Sequence, residues 1–394
     1  MLHLYINKNN ILIGLLILLL NDILNSQHYE CGSKITLASN YQILNNYISK
    51  LNILSNITPR SPIEIQVVIH NLWNSSSEIM SDERILRQIE TLNNDFNGNI
   101  KDKSLIPIEF RTKFGSSTIH FCIASKIEND KNIIGIIRRR TELKEFDNNK
   151  IFFDSLGGSS PWDQEKYLNI WVANIGEFIS GYSSFPWLKD SINDGVVIST
   201  NYFGENPLNN EIIGRVLTHE IGHYLGLIHI WGDSKGCDHD DGILDTPLQD
   251  GPYYGCPIYP QNGCSENEMF MNFMDYTNDP CMFMFTKQQV SLMENTIVQV
   301  RKNLINDMTN CNHSNTKQKI LKNFYPNPVR DKITLLFLEE AIGIININIY
   351  DLLGKQVKTY SSIVYDKLEF DISELINGIY IIKLNQDFIK VCKM

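Results

Sequence analysis

The stretch Thr218-His219-Glu220-Ile221-Gly222-His223-Tyr224-Leu225-Gly226-Leu227-Ile228-His229 decides the reading of this chain. His219 and His223 are four residues apart, so on a helix their imidazoles project side by side from one face. Two neutral imidazoles about 2.0–2.1 Å from one zinc ion fit that spacing. Glu220 adjoins the first histidine, close enough to poise a water on the metal without being a ligand. Gly226 can take a positive φ, which ends the helix and turns the chain back. His229, three residues further on, then supplies a third nitrogen. Three protein nitrogens leave one tetrahedral position for water, as a catalytic zinc requires. Random composition produces the whole pattern in roughly one in a hundred thousand chains of this length.

Working outward, residues 210–227 read as one helix with Ile213, Val216, Leu217 and Ile221 on one face. Ile63, Ile65, Val67 and Ile69 alternate with Glu64, Gln66 and His70, a strand pattern that residues 118–124 and 167–173 repeat. Ser81 is an N-cap for a helix carrying Ile85, Ile89 and Leu92, and Thr286-Lys-Gln-Gln289 is a capping box for another running to about residue 304. This unit, residues 61–310, is therefore mixed α/β. A polar linker over 311–319 follows. From residue 320 to 394 the texture changes to short strands at 332–338, 344–350, 356–360, 367–370 and 378–384, a small all-β sandwich.

The chain has 394 residues with 35 Lys+Arg against 45 Asp+Glu, a net charge of −10, which argues against sequence-independent nucleic-acid binding. Lys8 precedes the apolar run Ile11-Leu-Ile-Gly-Leu-Leu-Ile-Leu-Leu-Leu20. That run is too short to span a bilayer and reads as a secretory signal over 1–26, leaving no integral membrane segment in the mature form. Residues 27–60 read as a polar pro-segment. It ends in Pro59-Arg60-Ser61-Pro62, an exposed extended linker. Export makes disulfides plausible. Cys122, in a strand, reads as a buried and inert thiol.

The zinc motif resembles that of the metzincin metalloproteases, whose His-Glu-x-x-His-x-x-Gly-x-x-His pattern residues 219–229 match in full. Asn272-Phe273-Met274-Asp275-Tyr276 resembles the metzincin Met-turn, and the tyrosine two after Met274 resembles the pappalysin branch. Asn169-Ile-Trp-Val172, Asp194-Gly-Val-Val-Ile198, His229-Ile-Trp-Gly232, Asp245-Thr-Pro247 and Cys281-Met-Phe-Met-Phe-Thr286 resemble that branch as well. Met274 by itself reads as ordinary core packing; its register with the zinc motif gives it the other meaning. The resemblance implies an α+β metzincin catalytic domain with a mixed sheet and an active-site helix. It implies a zinc endopeptidase acting on proteins or peptides, with Glu220 as general base and Tyr276 donating a hydrogen bond to the developing oxyanion. The tail resembles the type IX secretion sorting domain of Bacteroidetes in Phe324-Tyr-Pro-Asn-Pro-Val329, Tyr350-Asp-Leu-Leu-Gly-Lys-Gln-Val357 and Asn377-Gly-Ile-Tyr-Ile-Ile-Lys383. That implies an immunoglobulin-like sandwich, the type IX machinery as partner, and export through the periplasm of a Gram-negative bacterium to the surface or medium.

Cys237, Cys256, Cys264 and Cys281 allow three pairings by sequence alone. The family resemblance implies the interleaved one, Cys237–Cys264 and Cys256–Cys281. The same resemblance implies structural calcium in the acidic loop 237–247, with Asp241 and Thr246 as the matching residues, against the plain alternative of a solvated acidic loop. Cys31-Gly32 is similar to the cysteine switch of pappalysin zymogens, where sulfur fills the open zinc position; the alternatives are a stray thiol or a bridge to Cys311 or Cys392. Arg60-Ser61 is the expected activation cut. Family members that prefer a basic residue after the scissile bond carry an acid just before the cysteine matched by Cys281; here Pro280 stands there, with Asp279 one residue earlier. The rival reading is a non-catalytic surface adhesin or binding protein on a protease fold, which intact Glu220 and Tyr276 disfavour.

Overall fold

The computed structural model describes residues 30–33, 42–44, 46–49, 62–128, 131–146, 149–187, 192–205, 212–305, 321–337, 343–364, 366–384 and 387–394. The expected signal, the linker at 59–61 and the expected cut at Arg60-Ser61 lie outside them. Among the described residues nine strands precede residue 200: β1 Glu30–Cys31, β2 Ile63–Trp73, β3 Ile119–Ile123, β4 Ser125–Glu128, β5 Lys131–Ile134, β6 Ile136–Arg140, β7 Leu168–Ala173, β8 Ile179–Ser183 and β9 Val196–Ser199. The sheet runs β1-β8-β9-β7-β2-β3, with β6 pairing the later half of β2. The pairs are parallel except β8 against β9. The hairpin β4–β5 fills the step between β3 and β6.

Helices α1 Asp82–Phe96, α2 Arg215–Tyr224 and α3 Lys287–Gln299 flank the sheet. Ile85, Leu92 and Phe96 of α1, Leu217 and Ile221 of α2, and Met293 and Ile297 of α3 share one core with Ile65, Val67 and Ile69 of β2. Leu72, Trp171 and Val197 point the other way, into a second cluster with Phe146, Ile151 and Phe152. Both faces are therefore covered, as parallel sheets require. This revises the alternating pattern of β2: Gln66 and His70 do not face water but are buried. His70 is held by Ser159 Oγ at 2.7 Å and Asn169 Oδ1 at 3.0 Å, the partners a buried polar ring needs.

The helix ends follow local chemistry. Ser81 Oγ accepts from Arg84 N, and the capping box of Thr286 and Gln289 is present. The helix expected over 210–227 is shorter. Gly214, at φ 93°, opens α2 and Gly226, at φ 99°, follows its end. Asp279 Oδ2 accepts the N–H groups of Ile213, Gly214 and Arg215 at 2.8–2.9 Å, satisfying the donors at the start of α2. Asp279 is thus a buried helix cap.

In the tail, Leu321–Tyr325, Lys332–Phe337 and Lys367–Asp371 form one antiparallel sheet. Gln356–Val364, Gly343–Tyr350, Gly378–Leu384 and Asp387–Lys393 form the other. Ile333, Leu335, Ile345, Ile347, Ile349 and Ile382 fill the space between them. The first and last strands were not anticipated from the sequence. Among the described residues no helix is long and apolar enough to cross a membrane.

Candidate active site

Helix α2 places His219 and His223 on successive turns, and the bend at Gly226 returns the chain so that His229 meets them. The three Nε2 atoms stand 3.1, 3.1 and 3.2 Å apart. A triangle of that side has a circumradius of about 1.8 Å, just inside a Zn–N bond of about 2.0–2.1 Å, so one ion seated above it reaches all three. Each ring spends its other nitrogen on a fixed acceptor: His219 on Phe273 O at 2.6 Å, His223 on Leu227 O at 2.8 Å, and His229 on Asp233 Oδ1. An N–H donated from Nδ1 leaves the Nε2 lone pair for metal and fixes the ring plane. Burial, then the neighbouring His229, pushes His219 down to about 3, and burial holds His223 well below the ordinary histidine value, so both rings are neutral donors. The donor set fits zinc.

Glu220 is fully buried, and burial lifts its carboxyl to about 8, opposed by hydrogen bonds from Cys31 and Ser33. Its Oε2 accepts from Ser33 Oγ at 3.3 Å. Its Oε1 is buried with no hydrogen-bond partner among the described residues, an acceptor left for a water or substrate group. Met274 packs beneath α2: a Cβ at Gly222 would lie 2.5 Å from Met274 Sδ, so only glycine lets the turn come this close. Asn272 Oδ1 accepts from Met274 N at 2.9 Å, and the Asn272 amide is locked to Gln289 of α3 at 2.8 Å. Tyr276 meets the His229 ring edge-on at 4.8 Å, and its hydroxyl donates to Cys31 O at 3.4 Å.

Residues 30–33 lie in the cleft. β1 runs parallel to β8, and Gly32 N donates to Gly181 O at 2.8 Å. Cys31 Sγ and the nitrogens of His219, His223 and His229 all lie within 4.8 Å of one another. Ser33 Oγ receives Ser183 N at 2.7 Å. Cys31 is a free, buried thiol.

Cys237 pairs with Cys264 and Cys256 with Cys281, bracing the loop between His229 and the Met-turn. Cys122 corrects the sequence reading: it is disulfide-bonded, not an inert thiol. It lies on β3, the last strand of the main sheet order. In the acidic loop, Asp241 is buried with Thr246 Oγ1 at 2.8 Å from its Oδ1, while its Oδ2 and Asp245 Oδ1 have no hydrogen-bond partner among the described residues. Burial raises the Asp241 carboxyl to about 8, a group that calls for a proton or a cation.

Sequence reasoning missed Ser33, Asp233 and the Asn272–Gln289 clasp. Asp233 had a usable signal, an acid four residues after the third histidine. Ser33 had only its place two residues after Cys31.

A family model described as pregnancy-associated plasma protein-A matches residues 154–298, and one described as a secretion system C-terminal sorting domain matches 323–393. A mutant of Tannerella forsythia promirolysin superposes with a TM-score of 0.65 at 37% identity, covering 70% of this chain and 96% of that one. Mature mirolysin from the same organism, in complex with a cleaved peptide, gives 0.57 at 38% identity, with 63% and 100% covered. An extracellular metalloprotease of Arthroderma benhamiae is 26% identical over 70% of this chain and 83% of its own length. On this likeness the chain belongs to the pappalysin family of zinc metalloendopeptidases, and it carries a type IX secretion sorting domain at its C-terminal end.

Proposed function

We propose that the chain is made as a latent zinc endopeptidase, exported, and then activated by loss of its pro-segment. Residues 1–26 act as the signal, 27–60 as the pro-segment, 61–310 as the catalytic domain, 311–319 as a linker, and 320–394 as the address read by the secretion machinery after passage through the periplasm. His219, His223 and His229 hold the metal. When bound, zinc supplies Lewis-acid polarisation of a peptide carbonyl and acidification of water. Glu220 takes the proton from the attacking water and returns it to the leaving amine. The Tyr276 hydroxyl donates to the carbonyl oxygen as charge develops there, an interaction whose loss typically costs about 3 kcal/mol. Met274 supports the ligand floor. Asp241 and Thr246 take calcium, which would satisfy the orphaned carboxylate oxygens and stiffen the loop behind the third ligand.

The observation that carries latency is the crowding of the Cys31 sulfur against the three ligand nitrogens. A thiolate there occupies the position that water needs. The Cys31 carbonyl meanwhile holds the Tyr276 hydroxyl, and Ser33 holds Glu220. Cys31→Ala should yield a precursor that cleaves casein, or processes itself, without added protease. A precursor as latent as wild type, with no sulfur ligand by X-ray absorption of the wild-type zinc site, would reject the switch.

A further inference from the structure

The pro-segment touches the enzyme a second time, away from the metal. Residues 42–44 and 46–49 are helical, and Leu44 and Ile48 are 2% and 8% exposed, part of the main core of the catalytic domain. The Tyr47 ring meets Trp187 at 5.0 Å, and its hydroxyl donates to Thr296 Oγ1 at 2.8 Å. Two glycines with left-handed backbones make the fit possible. A Cβ at Gly226 would stand 3.2 Å from the Tyr47 ring, and one at Gly242 would stand 3.0 Å from Ile48 Cδ1. The groove adjoins the metal site: Trp187 stacks on Phe185 at 4.8 Å, and Phe185 meets the His223 ring at 5.3 Å.

We propose that the groove formed by Phe185, Trp187, Gly226, Gly242, Leu292 and Thr296 is a binding site for the pro-segment in its own right, so that a pro-segment severed at the linker stays bound and goes on inhibiting. This rests on the latency reading and deepens it. A cut at Arg60-Ser61 lies after both anchors and breaks no contact of either. The chain between Cys31 and Tyr47 tethers the two contacts, so each raises the effective concentration of the other. Activation then needs a second event, destruction or release of the segment, and the linker cut alone is silent.

The test uses the full chain with a site-specific protease sequence replacing residues 57–60. The chain is nicked there and passed over a sizing column. The wild-type segment should co-elute with the enzyme, in the presence of a zinc chelator and in Cys31→Ala alike. With Tyr47→Ala and Ile48→Asp together it should separate, its affinity weakened roughly 100-fold by loss of the half-buried Tyr47 ring and the buried Ile48 side chain. A synthetic 27–60 peptide with the same two changes, titrated into nicked enzyme freed of its own segment, gives that ratio independently of how the altered zymogen folds. Loss of the wild-type segment on nicking, on chelation or in Cys31→Ala would make the metal site the sole anchor and overturn the proposal, as would full retention of the doubly altered segment. Failure of the switch is visible separately, as latency of un-nicked Cys31→Ala.

Discussion

Ile345, Ile347 and Ile349 of the tail point inward, while Asn346 and Asn348 between them face out and bond across to Ser361 and Thr359 at 2.6 Å each. The catalytic domain has no such clean division. It buries Arg215 against Asp95 at 3.2 Å, Arg301 against Asp194 at 2.7 and 2.8 Å, His70, the three ligand histidines and Glu220. Arg301 also donates to Tyr224 O at 3.1 Å, at the end of α2. Buried pairs of this kind are a weak route to stability, since desolvation offsets much of their attraction. Here they tie down both ends of the helix that carries the ligands. The tail has only to remain folded and recognisable, and apolar alternation suffices for that.

The contrast can be broken most sharply at Glu220. Glu220→Ala should keep stoichiometric zinc by elemental analysis yet lose casein cleavage by three orders of magnitude or more. A chain ending at Thr316 should keep its cleavage in vitro while failing to reach the medium of its host. Near wild-type turnover by zinc-loaded Glu220→Ala, or dependence of turnover on the tail, would erase the division. A smaller effect lies at the buried pair: Asp194→Ala leaves the Arg301 guanidinium uncompensated and should destabilise the catalytic domain by about 3–5 kcal/mol in denaturant titration. The smallest lies on the tail surface. Lys332 and Glu369 form an exposed pair at 3.4 Å, and Lys332→Met should change stability by less than about 1 kcal/mol. Equal losses at the two sites would mean that burial does not separate the regions.

What the sequence made legible was local. Two histidines one helical turn apart, a glycine that must bend, a capping box and an alternating strand each express their geometry over a few residues. The zinc motif was readable for that reason, as were most tail strands. What stayed hidden depends on neighbours distant in the chain. Asp279 caps a helix that begins 64 residues earlier, at Arg215. Ser33 reaches Glu220 across 187 positions. His70 of β2 looked solvent-facing because nothing local reveals that Ser159 and, from the neighbouring strand β7, Asn169 hold its ring. Cys122 looked inert for the same reason.

The pairing of β1 with β8 carries one more consequence. While Glu30 and Cys31 are in place, they pair along the outer edge of β8 at Ile179 and Gly181. Removing the segment bares a rim that any extended polypeptide can join, including another copy of the same enzyme. Capture of strands is what a peptidase needs once dispersed outside, and a hazard while many copies are crowded along an export route. On the latency reading proposed above, the segment that silences the chemistry would also act as a solubility shield, and the timing of its loss would decide whether the rim meets food or its own kind.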